Sequence, residues 1–330
     1  MTNPSPNGTH RVSRRRFCRR AAATAAGTLA AGALVNRSPH RAAEPAKDAR
    51  PAKYIDAHVH LAQPWSERGP LPPEMMLRWM DEHEISAAVV LPLISPEAWY
   101  YPISTDWVLQ QTRPHRDRLI PFCDVEPRTN YLRGVKGILD ILMRYVDAGA
   151  KGLGEHKCGV AIDDPRNLDV FRAAGELELP VLFHMDNIRN TDRPGLPGLE
   201  KVLREVPNSN FIGHAPGFWA SISGDANQAD LCGYPRGPVS PGGALDRLME
   251  KYPNLYGEFS AGSGANAVRR DPEFGRKFLI RRADRLLFGT DYLTPGQKIP
   301  QFELFDEFDL PAEVEAKIYR QNAARLLGLA

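Results

Sequence analysis

From Tyr54 onward, short apolar runs alternate with longer stretches in which apolar residues return every three or four positions. The short runs read as strands and the longer ones as amphipathic helices, since side chains alternate faces along a strand and return to one helix face every 3.6 residues. Strands are predicted at Tyr54–His58, Ala87–Leu91, Leu119–Cys123, Lys151–Glu155, Val181–His184, Asn210–His214, Leu255–Glu258 and Leu286–Thr290. Between them the spacing predicts helices at Glu74–His83, Asp106–Arg113, Leu132–Ala148, Asp164 to about Leu179, Leu199–Val206, Leu245–Tyr252 and Pro272–Arg281. Two more follow, near Phe302–Phe308 and Ala312–Leu326. Pro72-Pro73 and Asp164-Pro165 suit helix starts, where proline loses no hydrogen bond and Asp can cap free N–H groups. One connection stands apart: Ala215–Gly243 is polar, rich in Gly and Pro, and longer than ordinary loops.

Eight strands alternating with helices imply a parallel sheet, and a closed (β/α)8 TIM barrel accommodates that count in one domain. An open doubly wound sheet would want a glycine-rich phosphate loop after its first strand, whereas this strand runs into His58-Val59-His60. The barrel domain is assigned to residues 47–330.

Charge separates off the first 46 residues. The whole chain carries +2, but residues 1–46 hold eight arginines against one glutamate, or +7, which leaves −5 for the rest. A mildly acidic body has no basic footprint for nucleic acid. Ser13-Arg14-Arg15-Arg16-Phe17 resembles a twin-arginine export signal, and the weakly apolar run Ala21 to Val35 follows it as a signal h-region does. Residues 1–46 are therefore expected to be a signal peptide and linker, leaving a periplasmic or extracellular protein with no stable membrane span after processing. Cys123, Cys158 and Cys232 lie far apart in the body, an odd number without a Cys-x-x-Cys pair, and read as free thiols.

The candidate chemistry gathers at predicted strand ends. His58 and His60 are two apart, so an extended strand turns both toward one face, where two imidazoles can reach one cation. His184, His214 and Asp291 close three further strands, and in a parallel barrel all strand C-termini meet on one rim. At strand four, Gly154-Glu155-His156-Lys157 offers Glu155 as a further ligand, His156 as a supporting group and Lys157 as an anchor for a substrate anion. Asp56, two residues before His58, is expected to orient an imidazole. His83 and His115, near helix ends, read as structural or solvated.

Together, Asp56-Ala57-His58-Val59-His60, Pro180–His184, Phe211–His214, Arg285–Asp291 and Asn322–Leu327 resemble the amidohydrolase superfamily. Within it the likeness is to the amidohydrolase-related branch that holds the aminocarboxymuconate-semialdehyde decarboxylases. The resemblance implies that His58, His60, His184 and Asp291 bind a divalent metal, commonly Zn2+, and that His214 activates water or polarises the substrate. Strand four departs from the Lys-x-His ending of many relatives. That bears on the metal count, one ion or two.

The favoured reading is a metal-dependent hydrolase of a small carbonyl substrate such as an amide, ester or lactone. The metal would lower the pKa of bound water, Asp291 would move its proton and His214 would stabilise charge on the carbonyl oxygen. The alternative is a non-oxidative decarboxylase using the same cage, with Lys157 or Arg166 holding the substrate carboxylate. A non-catalytic exported binding protein is the third reading, disfavoured because every expected ligand position is filled. The loop after His214, with Phe218, Trp219 and Tyr234, is expected to shape the pocket, Trp219 touching the substrate. The partner expected is a small molecule, and a homo-oligomer is compatible with the sequence.

Overall fold

The computed structural model describes residues 52–63, 69–129 and 134–329. The export signal and the rest of the leader lie outside them. Among the described residues, eight parallel strands follow in order: β1 Tyr54–Val59, β2 Ile85–Val90, β3 Leu119–Pro121, β4 Leu153–His156, β5 Val181–His184, β6 Phe211–His214, β7 Leu255–Glu258 and β8 Leu286–Leu287. Strands β1 to β3 pair as one run and β4 to β8 as another. Parallel bridges at Cys123–Leu153 and Val59–Tyr292 join the runs. Backbone bonds from Ala57 N to Phe288 O (2.9 Å) and from Asp291 N to His58 O (2.8 Å) complete the closure. The result is the (β/α)8 barrel the pattern predicts, and closure leaves no unpaired sheet edge.

Helices cover the outside: α1 Pro73–Glu82, α2 Thr105–Thr112, α3 Gly134–Asp147, α4 Pro165–Glu176, α5 Pro197–Glu205, α6 Pro216–Ala220, α7 Ala244–Lys251, α8 Ser263–Arg269 and α9 Pro272–Arg281. Two of these, α6 and α8, fall where no helix is predicted. Both are shorter than the window over which a helical period shows. Helix α4 begins as expected, the Asp164 side chain accepting from Arg166 N behind Pro165.

Strand alternation sorts the side chains into two apolar layers. Val181, Phe183, Phe211 and Leu255 pack outward against the helices, while Ile55, Ala57, Val89, Ile120, Leu182, Ile212, Tyr256 and Leu287 fill the barrel interior. Two residues beyond Leu182, Ile212 and Tyr256 along their strands come His184, His214 and Glu258. The same inward face that is apolar low in the barrel thus becomes polar at the mouth.

Strand β1 breaks this rule, because its register against β2 shifts between Asp56 and Val59. Asp56 therefore orients no imidazole, contrary to expectation. Its Oδ1 accepts from the backbone N–H groups of His58 (3.0 Å) and Thr290 (3.1 Å), and its Oδ2 accepts from the Thr290 hydroxyl at 2.6 Å. Burial pushes its pKa up to about 7 against these three donors. Asp56 is thus a clasp between β1 and the segment after β8. Thr290→Val should lower stability by about 1–3 kcal/mol, since a buried carboxylate oxygen loses its hydroxyl partner. Urea unfolding of the variant measures this, and a midpoint equal to that of the parent protein would rule out the clasp.

Candidate metal centre and active site

His58 ends β1 and His60 follows it by two, and their ring nitrogens determine what the mouth can bind. His58 Nδ1 lies 2.9 Å from Glu258 Oε1, and His60 Nδ1 lies 2.9 Å from the Leu91 carbonyl. A carboxylate and a carbonyl only accept, so both Nδ1 atoms must carry the proton. In the neutral rings each Nε2 is then a bare lone pair, and the two face one another at 3.0 Å. Two lone pairs at that distance repel unless a cation lies between them.

The surrounding donors match a cation. Glu155 Oε2 is buried with no hydrogen-bond partner, 3.8 Å from His58 Nε2 and 3.6 Å from His60 Nε2. Asp291 Oδ1 lies 3.6 and 3.4 Å from the same two nitrogens. Two imidazole nitrogens and two carboxylate oxygens form a donor set suited to a divalent transition-metal ion. Although burial alone would raise the Glu155 pKa, Lys157, His184 and His58 hold it well below the ordinary value. Asp291 is likewise held below its ordinary value, its burial outweighed by the neighbouring His58, His60 and His214. Both carboxylates are therefore ionised and ready to ligate.

His184 stands beside this cage. Its Nδ1 is 2.8 Å from Glu155 Oε1 and its Nε2 is 2.9 Å from Asp186 Oδ2. Desolvation and then the Lys157 charge pull the His184 pKa below its usual value, against the two carboxylates. A neutral ring carries one proton, so only one of these carboxylates can accept from it. With that proton on Nε2 toward Asp186, the Nδ1 lone pair faces Glu155, a contact that is favourable only with a cation between them. Glu155, His184 and His214 indeed bring one ligand atom each within 4.8 Å of one another, as do His58, His60 and Glu155.

His214 occupies the remaining side, its Nδ1 2.6 Å from Glu258 Oε1 and 3.0 Å from Ser260 Oγ. Burial lowers its pKa, but the Glu258 charge more than reverses that, and the net shift is upward. In front of the cage opens a pocket lined by Leu61, Leu93, Trp99, Tyr101, Ile103 and Leu293, with His60, Lys157 and Asp291 at its polar end. Lys157 Nζ lies 3.4 Å from Glu155 Oε1.

The fold thus brings together His58, His60, Glu155, Lys157, His184, His214 and Asp291. It leaves out two residues expected to meet the substrate. Arg166 sits in the first turn of α4, half exposed and paired with Asp164 at 2.8 Å. Trp219 is buried by α6, tilted over Phe259 at 4.5 Å, with Nε1 donating to the Glu258 carbonyl at 3.0 Å. Phe218 is buried beside it, and a side chain at Gly213 would collide with its ring. His156 points out of the barrel to Asp124 (2.8 Å) and Asn167 (3.0 Å). Glu258, Asp186 and Ser260 were not anticipated. Glu258 carried the same signal as His184 and His214, being the last residue of an apolar strand.

A closed eightfold barrel with an N2O2 donor set at its C-terminal rim defines a divalent-metal-dependent enzyme. The chain belongs to the amidohydrolase family, whose sequence model, described as Amidohydrolase, matches residues 55–329. No match is found among curated proteins. Solved structures similar to it include an uncharacterized TIM-barrel protein from Bordetella bronchiseptica, at 18% identity and TM-score 0.57, covering 83% of this chain and 98% of that one. A probable 2-pyrone-4,6-dicarboxylic acid hydrolase from Acinetobacter baumannii matches at 14% identity and TM-score 0.53, over 84% of this chain and 100% of the other. A 5-carboxyvanillate decarboxylase from Novosphingobium aromaticivorans, complexed with manganese, matches at 15% and 0.52, over 84% and 96%. These likenesses support the barrel architecture. Among the described residues no helix is long and apolar enough to cross a membrane.

Proposed function

We propose that this enzyme is a metal-dependent carboxy-lyase that removes carbon dioxide from an aromatic or unsaturated carboxylic acid. The observation that carries the reading is the pocket: apolar and aromatic walls from Leu93, Trp99, Tyr101 and Ile103 end at a cation, Lys157, beside the cage. The chemistry of that lining, apolar and aromatic walls ending at a cation, matches the two halves of such a substrate, its ring and its carboxylate. Several of the similar solved structures are decarboxylases of aromatic acids, which favours this reading over the hydrolase that the sequence put first.

His58, His60, His184 and Asp291 would hold the ion, with Glu155 as a further ligand, and Zn2+ and Mn2+ both suit these donors. When bound, the ion supplies positive charge that orients and neutralises substrate oxygens. Lys157 pairs with the substrate carboxylate, and the apolar walls exclude water from the ring. His214, its Nδ1 proton held by Glu258, takes up a second proton from solvent. Asp291, ionised at rest on the pocket wall, accepts that proton and passes it to the carbon that bears the carboxylate. As that C–H bond forms, the carbon–carboxylate bond breaks, its electron pair returns to the ring, and carbon dioxide leaves. The net reaction consumes one proton from solvent.

Purified protein loaded with Mn2+ or Zn2+ should release carbon dioxide from one or more members of a panel of hydroxylated benzoates. In D2O, deuterium should appear at the vacated ring carbon. Release of amine, alcohol or acid from amides, esters or lactones, without carbon dioxide, would restore the hydrolase reading. Lys157→Met should raise KM for the carboxylate substrate by about tenfold or more while metal is retained, the scale of losing a charge-assisted contact. An unchanged KM would remove Lys157 from the substrate site.

A further inference from the structure

Glu258 is 0% exposed, at the end of β7. Its Oε1 sits 2.9 Å from His58 Nδ1, 2.6 Å from His214 Nδ1 and 2.8 Å from Ser260 Oγ, and its Oε2 accepts from Ser260 N at 2.7 Å. One carboxylate oxygen thus touches both a cage imidazole and the imidazole that stands outside it. His58 and His214 lie on β1 and β6, strands that do not pair, with ring centroids 4.6 Å apart.

We propose that Glu258 is the positioning residue of this site, forcing His58 and His214 into the Nδ1-protonated form so that both direct Nε2 toward the centre. Three features carry this. A carboxylate accepts and does not donate, so two imidazoles can share it only if each brings its own Nδ1 proton. The carboxylate is secured from behind, since Ser260 gives it both a backbone N–H and a hydroxyl. The chain also reserves space for it: a Cβ at Gly289, on the segment after β8, would stand 2.5 Å from Glu258 Oε2. Glu258 therefore acts through His58 on metal affinity and through His214 on proton handling, touching neither ion nor substrate. This inference rests on the divalent-metal site and not on which reaction that site performs.

Glu258→Gln tests it. The amide matches the carboxylate in shape but retains one acceptor oxygen, and its NH2 cannot accept from Nδ1–H or from Ser260 N–H. Zn2+ affinity, measured by competition with a chromophoric chelator, should weaken about 10- to 100-fold, the usual effect of losing the group that orients a ligating histidine. Histidine-labelled 15N NMR of the metal-free protein should show Nδ1 protonated on both His58 and His214 in the parent protein, and a mixture of tautomers on at least one ring in the variant. Zn2+ affinity within twofold of the parent, or unchanged tautomers in a folded variant, would overturn the proposal. Should Glu258→Gln fail to fold, the parent spectrum alone decides. An unprotonated Nδ1 on either ring refutes it, and protonated Nδ1 on both sustains it.

Discussion

Replacing His58 and His60 together with alanine should yield a folded barrel that binds no metal and has no detectable turnover. The expectation follows from the lone-pair geometry. The two Nε2 atoms face each other at 3.0 Å, while Glu155 Oε2 has no other partner, so the cage is built around a cation. Removing both imidazoles takes away half of the N2O2 set and leaves the carboxylates with His184 alone, too few nitrogen donors to hold a transition ion well in competition with water. An ion that binds the folded chain alone adds stability in proportion to the logarithm of its concentration over Kd, about 4 kcal/mol at a thousandfold excess. Chelation should therefore lower the Tm of the parent protein by several degrees and leave that of the double variant unmoved. Elemental analysis should find at least about one equivalent of metal in the parent protein, the occupancy of a single filled site. Full occupancy in the double variant would place the metal elsewhere.

His214→Asn should keep the metal and lose the chemistry. His214 is bound to Glu258 and Ser260 by its Nδ1, and the expected ligand atoms belong to His58, His60, His184, Glu155 and Asp291. Asparagine preserves a polar group that can still donate toward Glu258, so the barrel and the cage should survive. Turnover should fall by on the order of 10²-fold or more, the scale of losing a positioned acid–base group. Asp291→Asn should behave otherwise, weakening metal binding and abolishing activity at once, because one carboxylate faces both the cage and the pocket. If His214→Asn empties the site, His214 is a ligand. If it leaves full activity with metal bound, the proton path drawn through it is wrong.

Much of this arrangement was legible because histidine is rare here and strand ends are readable. Nine histidines stand against forty acidic residues, so His184 and His214, each closing an apolar run, were conspicuous. Glu258 closes a run just as they do, yet among forty carboxylates it carried no distinguishing mark. The loop after His214 misled for a local reason. Its Gly- and Pro-rich composition hid the five-residue helix α6, which turns Phe218 and Trp219 into the core and away from the pocket. Arg166, chosen for its charge, is occupied by Asp164 two residues away.

The sequence by itself determined the barrel, since the alternation of short apolar runs with amphipathic segments admits few other parallel arrangements. It also determined which end of the barrel is chemical, since most of the strands turn polar at their C-terminal ends. Only the tertiary structure decided how those end groups share protons and lone pairs. Whether Glu258 meets His58, 200 residues distant, or Asp56 meets Thr290, 234 residues distant, depends on strand register and barrel closure to within an ångström. Local pattern sets the face on which a side chain lies. The nitrogen or oxygen it meets there is set by the closed ring of strands, because hydrogen bonds and metal ligation fail over distances smaller than one residue's rise.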